Sequence, residues 1–415
     1  MSLSTTDVRI VPLPQAPDVL TEVLRLGAQQ LLAQAIEAEV ADWIDLHRHC
    51  LDDQGHRQVV RNGHLPARTI TTGVGSVAVQ QPRVQDRRAA DQREKFSSAL
   101  LPPYLRKTKS VEELIPWLYL KGVSTGDFSE ALAALLGPEA KGLSASTVTR
   151  LKGIWEQEYQ DWSKRSLAGK HYVYVWADGV YFNIRLERGR QCILVLLGAT
   201  AEGQKELLAI QDGQRESELS WKELLLDVQA RGLTLDPAVA IGDGALGFWK
   251  ALRQVWPTTQ EQRCWVHKTA NVLDKLPKSV QPKAKEMLHA IYLAPSRAEA
   301  EKALDLFVRT YEAKYPKAAE CLAKDQKELL TFYDFPAEHW RHLRTTNVIE
   351  SVFATVRLRT DKTKGTGTRV ACLTMVFKLM ESAARRWRVL NGSPLLAEVI
   401  QGVVFVNGVK QEDAA

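Results

Sequence analysis

The sequence predicts an α/β core preceded by a mainly helical amino-terminal region, and three observations carry that expectation. Between His171 and Gly203 the chain reads "HYVYVWADGVYFNIRLE" and "QCILVLLGATAEG", rich in the β-branched and aromatic residues that suit strands. From Arg215 to His267, helical stretches alternate with short apolar runs, the pattern of helices layered on a sheet. Lys268 to Phe335 then reads as helix throughout. With 415 residues, 45% of them hydrophobic, the chain is long enough for two or three domains with cores of their own.

Taken in order, Val19 to His47 carries Val23, Leu24, Leu31, Leu32, Ile36, Val40, Trp43 and Ile44 at helical spacing, which predicts a core helix or a dimer helix. "RTITT" and "SVAVQQPRV" alternate around "GVG" and predict a small β-hairpin. Arg61, Arg68, Arg83, Arg87 and Arg88 flank it, as a solvated face or as contacts to phosphate. "QDRRAADQREK" reads as an exposed linker or polar helix. Three helical segments follow: "SVEELIPWLYLKG", "STGDFSEALAALLG" and "SASTVTRLKGIWEQEYQDW". Short helices joined by glycine-containing connections, the last opening on hydroxyl residues, form a helix-turn-helix pattern. Ser146 and Thr147 would let its first turn approach DNA, with Arg150 and Lys152 at the phosphates. A plain packing module of three helices fits the same pattern.

Further on, turns expected at Asp178-Gly179 and at Glu187 to Gln191 divide the apolar stretch into three consecutive antiparallel strands. "RESELSWKELLLDVQARG" is a helix, "PAVAIGDG" a buried strand, "ALGFWKALRQVW" a helix and "TQEQRCWVH" a further strand. Three strands, helix, strand, helix, strand is the order of an RNase H-like fold, whose site lies at strand ends. The expected organisation is therefore an N-terminal helix and hairpin region for dimerisation or phosphate contact (1–106), a helix-turn-helix domain (107–168), the first part of the RNase H-like core (169–267), an all-α insertion (268–340) and the last part of the core (341–415).

Net charge of +6 permits a polyanionic partner without demanding one. Five scattered cysteines argue against a disulfide framework and for a reducing compartment. The first residues lack a basic segment followed by an apolar one, and the longest apolar runs are far shorter than a membrane helix, so a cytoplasmic protein is expected. No Gly-x4-Gly-Lys-Ser/Thr pattern marks an ATP site.

The acids carry the chemistry. Asp178 follows "VYVWA" and Asp243 follows "VAIG", each before a glycine. Either alone is ordinary turn chemistry, but the first and fourth strands are neighbours in the expected fold, so the two can converge. Paired carboxylates are stabilised by sharing a proton or by a divalent cation, and Mg²⁺ prefers such hard oxygen ligands. A third acid, Glu350, stands in the first turn of the helix opened by "TTN" in "RTTNVIESVFATVRLRTDKTKG". It would complete a two-metal site, while Arg344, Asn347, Arg357, Arg359, Lys362 and Lys364 would lie along DNA. The bland reading of Glu350 is an acid favouring a helix dipole.

At these residues the chain resembles the bacterial mutator-type insertion-sequence transposases of the DDE class. The resemblance spans nearly the whole chain: "RNGHLPARTITTGVGSVAVQQPRV", "LYLKGVSTGDFSEALAALLG" with "LSASTVTRL", "WADGVYFNIR", "AIGDGALGFWKAL", "QRCWVHK" and "RTTNVIESVFATVRLRT", in that order. One departure is the stretch after the hairpin, where only Pro82-Arg83 keeps the family's proline-arginine character. The resemblance implies a catalytic triad of Asp178, Asp243 and Glu350 holding Mg²⁺, with Mn²⁺ as substitute. It also implies cleavage at terminal inverted repeats, strand transfer into target DNA, a homodimer on DNA and a nucleoid-associated location. A nuclease or resolvase without strand transfer, and a catalytically silent DNA-binding regulator, are the alternatives. Cys264 and His267 form the family's Cys-x-x-His signature, whose job stays open: a buried Cys and hydrogen-bonded His at a strand end, an auxiliary role near the metals or scissile phosphate, or half of a zinc site with His339 and His342.

Overall fold

The computed structural model describes residues 19–120, 123, 128–136, 145–184, 190–213, 215–244, 246–362 and 368–411. The chain divides into two compact units, Met1–Val148 and Thr149–Ala415.

In the first unit, α1 (Val19–Leu46) is followed by β1 (Val59–His64), β2 (Arg68–Thr72), β3 (Gly75–Val79) and β4 (Pro82–Asp86). β2 and β3 form the expected hairpin, with Ile70 opposite Val77. The stretch "SVAVQQPRV", read as one strand, is two. Past Gln80 and Gln81 the chain leaves β3, and β4 pairs instead with β1, an antiparallel partner the sequence did not suggest. Ile36, Ile70, Val77, Val79 and Leu101 make the core here. Toward its start, α1 leaves Val19, Leu20, Val23 and Leu24 exposed. Several flanking arginines have protein partners: Arg61 bonds Glu37 at 2.7 Å, Arg68 the carbonyls of Leu101 and Pro102, and Arg88 the buried Asp86. The helices α2 (Lys109–Leu120), α3 (Phe128–Leu136) and α4 (Ala145–Ser163) follow. The division into units falls inside α4. The turns expected between these helices lie outside the described residues.

The second unit is built on a five-stranded mixed sheet: β5 (Tyr172–Asn183), β6 (Arg190–Thr200), β7 (Lys205–Gly213), β8 (Val239–Gly242) and β9 (Gln260–Arg263), in the order β7-β6-β5-β8-β9. β5, β6 and β7 are antiparallel, while β8 and β9 run parallel to β5. The first and fourth strands are thus neighbours, as the sequence suggested. The turn expected at Asp178-Gly179 is absent. β5 runs straight through it, because β6 pairs with it along its whole length, Asp178 facing Val195 and Gly179 facing Leu194. The third strand is instead β7, "KELLAIQDG", which the sequence reading passed over.

Helices α5 (Glu218–Ala230) and α6 (Leu246–Val255) connect the strands. They share one core with a sheet face that includes Val175, Ala177, Leu194 and Leu196, through Trp221, Leu224, Phe248 and Trp249. Ser217 caps α5 by accepting the Ser220 N–H, satisfying a helix-end donor. The expected strand "TQEQRCWVH" ends at Arg263. Cys264 is the residue before α7 (Trp265–Leu273), and its N–H donates to Gly242 O at 2.7 Å.

The helical stretch continues as α8 (Gln281–Tyr292), α9 (Arg297–Tyr311), α10 (Pro316–Ala323) and α11 (Gln326–Leu329). Two 3₁₀ turns and α12 (Trp340–Leu343) close it. Its far end returns to the sheet: Gln262 Nε2 and Trp265 Nε1 both donate to Leu329 O, and Trp265 N–H donates to Arg344 O. The chain ends with α13 (Asn347–Lys362), α14 (Arg369–Ala384), α15 (Leu396–Ile400) and a small hairpin of β10 (Phe405–Val406) and β11 (Val409–Lys410). The sheet face opposite α5 and α6 is covered from this side. Tyr174 OH meets His339 Nδ1 at 2.7 Å, and Trp176 Nε1 donates to the carbonyl of His342.

Candidate active site

Parallel pairing between β5 and β8 stops at Trp176 and Ile241. Asp178 and Asp243 each lie two residues past that last pair, so both stand where the parallel part of the sheet ends. Side chains alternate along a strand. Asp178 therefore shares its face with Tyr174 and Trp176, the face covered by α12 and α13, while Gly179 belongs to the α5–α6 face. Asp178 is 7% exposed. Burial pushes its carboxyl up to about 7, His267 opposes that shift, and the charges of Asp243 and Glu350 add to it. These groups are close enough to feel one another.

Glu350 reaches the site from the first turn of α13. Thr346, buried just before that helix, organises the approach. Its carbonyl accepts the N–H groups of Ile349 and Glu350. Its hydroxyl lies 3.0 Å from Glu350 Oε1, 3.4 Å from Cys264 Sγ and 3.5 Å from His267 Nδ1. The hydroxyl's one proton serves one of these acceptors at a time. The Thr346 N–H also donates to Cys264 Sγ at 3.4 Å. His267 sits one helical turn past Cys264, with Nε2 3.7 Å from Glu350 Oε1. Its hydrogen bond with Cys264 raises its pKa, burial opposes this, and the pull of Asp178 and Asp243 helps hold the value up at about 9. An imidazolium among the acids offsets part of their mutual repulsion.

Cys264 and His267 therefore belong to the acid cluster, with Cys264 fastening the start of α13 to the start of α7. His339 and His342 do not join them. His339 spends one nitrogen on Tyr174 and the other on Gly392 O at 2.9 Å, and His342 Nε2 accepts the Asn391 N–H. Burial lowers the pKa of both imidazoles, that of His342 to about 4. Among the described residues, Cys264, His267 and Glu350 form a set whose ligand atoms lie within 4.8 Å of one another. The three acids are not drawn together that tightly.

The residues expected at DNA fall into groups. Arg150 and Lys152 are exposed on α4, and Ser146 and Thr147 are in its first turn. Asn347 and Arg357 are exposed on α13. Arg359 and Lys362 also belong to α13, and Lys364 lies outside the described residues. Arg344 is packed inward, its guanidinium 4.5 Å from the Phe332 ring centre and 5.2 Å from that of Trp340, and burial lowers its pKa.

One acid at the site escaped sequence reasoning. Burial pushes the Glu216 carboxyl up to about 7, and Asp243 and then Asp178 reinforce the shift. In the sequence it reads as a polar residue ahead of a helix cap; no motif marks it.

A mixed sheet carrying the buried Asp178 and the half-buried Asp243 where its parallel strands end, with Glu350 and the His267 imidazole beside them, is an arrangement able to hold a hard divalent cation. Comparison with known proteins gives the family. "Transposase, Mutator family" matches residues 4–389, and the chain belongs to that family. It is 52% identical over 298 residues to the transposase for insertion sequence element IS6120 of Mycolicibacterium smegmatis, covering 72% of this chain and 92% of the relative. It is 53% identical over 287 residues to the transposase for insertion sequence element IST2 of Acidithiobacillus ferrooxidans, covering 68% and 95%. Among solved structures it aligns with the Drosophila P element transposase strand transfer complex, at 9% identity over 75% of this chain and 86% of that one, with a TM-score of 0.26. Among the described residues, no helix is long and apolar enough to cross a membrane.

Proposed function

We propose that this transposase cleaves DNA at the ends of its element and joins the freed 3′-hydroxyl to new DNA, using one site made of Asp178, Asp243 and Glu350 on an RNase H-like core. The observation that carries the reading is the buried Asp178, whose ionisation is opposed first by burial and then by the charges of Asp243 and Glu350, with His267 pulling the other way. An acid buried beside two others where the parallel strands end has no evident packing purpose; a cation resolves the conflict.

The donor set fits Mg²⁺, with Mn²⁺ as substitute. Carboxylate oxygens are the hard ligands such ions take, and a cation would remove the penalty that holds Asp178 toward its neutral form. When bound, the metal supplies neutralisation of phosphate charge and activation of the attacking oxygen. The chain's own residues do the rest. Asp178 is fixed by the pairing of β5 with β6, Asp243 by the end of β8, and Glu350 is aimed by the Thr346 hydroxyl. His267 keeps a positive charge beside Glu350. Arg150 and Lys152 on α4, and Asn347 and Arg357 on α13, are offered to the DNA backbone, whose binding orients the strand for in-line attack. The α2–α4 segment acts as the helix-turn-helix that recognises the terminal repeats, and the protein works as a dimer because two ends are joined.

The test is Mg²⁺-dependent cleavage and strand transfer on the element's own end DNA, comparing wild type with Glu350→Gln. Wild-type cleavage and joining, with at least a hundredfold loss in the variant, supports the reading, in line with the ~10²–10³ cost of removing one charge-stabilising group. Cleavage without joining would leave a nuclease. A fully active Glu350→Gln would remove Glu350 from the site.

A further inference from the structure

Glu216 lies at the same end of the parallel strands but comes from the opposite face. Two glycines shape its place. A Cβ on Gly179 would fall 2.5 Å from Glu216 Cδ and 2.6 Å from Oε1, so the carboxyl lies directly against the bare backbone of the residue after Asp178. A Cβ on Gly247, in the first turn of α6 after Asp243, would fall 2.4 Å from the Glu216 carbonyl oxygen and 2.7 Å from Glu218 N. The Glu216 N–H donates to Tyr181 OH at 3.4 Å. The carboxyl is thus seated on the strand that carries Asp178, and its backbone is pressed against the helix that follows Asp243. Real Cβ atoms do not approach so closely, so neither glycine could be another residue without moving Glu216.

From this geometry we infer that Glu216 is a fourth carboxylate of the cation site, reaching round the edge of β5 past Gly179 to meet a metal held by Asp178 and Asp243. The inference rests on the proposed metal site. It gives the Asp-Gly pair at 178–179 a reason other than a turn: the first residue offers a ligand on one face, and the second stays bare so that another can arrive from the other. Glu216 does not cap α5, which is capped by Ser217; Asp243 and Asp178 are its chief charged neighbours, with His267 opposing them and the Tyr181 hydroxyl hydrogen-bonded to the carboxyl.

The test is Mn²⁺ binding to the full-length protein without DNA, with free Mn²⁺ followed by electron paramagnetic resonance at pH 8, alongside cleavage of end DNA. Glu216→Gln should weaken Mn²⁺ at least about tenfold, in the range that loss of supporting groups costs metal sites. Glu216→Asp, which keeps the charge but shortens the reach, should stay weakened. Gly179→Ala, which displaces the carboxyl without altering any acid, should weaken it too. Wild-type Mn²⁺ affinity in Glu216→Gln with Asp178→Asn impaired would overturn the role of Glu216 and leave the proposed site standing. Wild-type affinity in Asp178→Asn as well would overturn both. Full recovery in Glu216→Asp would show that charge alone matters, and would overturn coordination.

Discussion

Asp178→Asn should make the metal-free protein more stable at pH 8 and leave it nearly unchanged near pH 4. The folded-state pKa of Asp178 is about 7, against 3.8 for the ordinary group. Because folding raises it, the folded chain holds this proton more tightly than the unfolded chain does. Below about pH 4 both states are protonated and the group is neutral in effect. Between about 4 and 7 the unfolded state loses its proton first, and folding becomes progressively less favourable; above 7 the penalty is constant. A gap of about three units at 1.36 kcal/mol each sets a ceiling of about 4 kcal/mol. Asparagine keeps the shape without the charge, so it removes the penalty. Urea denaturation in EDTA at pH 4 and pH 8 measures the difference. Adding Mg²⁺ should then narrow the gap, because a ligand at a hundred times its Kd stabilises the protein that binds it by about 2.7 kcal/mol, while the variant gains little. A variant less stable than wild type at pH 8 in EDTA, or a difference that does not change with pH, would refute the reasoning.

Two further predictions follow from the surroundings of the site. Cys264→Ala leaves the buried Thr346 N–H without its acceptor and should cost about 1–3 kcal/mol in denaturant, while Cys264→Ser, which keeps an acceptor, should cost less; equal losses would mean that the sulfur's bulk matters rather than its bonds. Replacing both Arg150 and Lys152 by Ala should weaken binding to end DNA and lower the slope of log K against log salt by about two, and an unchanged slope would place α4 away from the phosphates.

Much of the core could be read from the sequence because its elements are marked locally. β8 is a short apolar run ending in Asp-Gly, and α13 opens on Thr-Thr-Asn with its acid three residues on. Both have the expected form and place. The errors arose where pairing overrode local signals. Asp-Gly is a strong turn signal, but β6 pairs with β5 on both sides of it and holds the strand straight. β7 contains Lys, Glu, Gln and Asp, so its composition hid a strand whose partner lies earlier in the chain. β1 was missed for the same reason, since nothing in "VVRNGH" announces that β4 will return beside it. Cys264 looked like the end of a strand because the local pattern continues to His267, whereas the helix start is set by the Gly242 carbonyl. Glu216 was invisible because the two glycines it packs against, Gly179 and Gly247, are distant in sequence.

The bonds at the base of the helical stretch carry a separate consequence. Cys264 and Trp265 leave the sheet where Arg344 and Thr346 return, held by the Trp265 N–H to Arg344 O bond and by Thr346 on the Cys264 sulfur. The intervening helices are therefore attached by a closed neck, and the distance from Asp243 to Glu350 in space does not depend on how much chain lies between them. Such an arrangement is modular. The segment could lengthen, shorten or carry a different surface while the neck still held Asp243 and Glu350 in register.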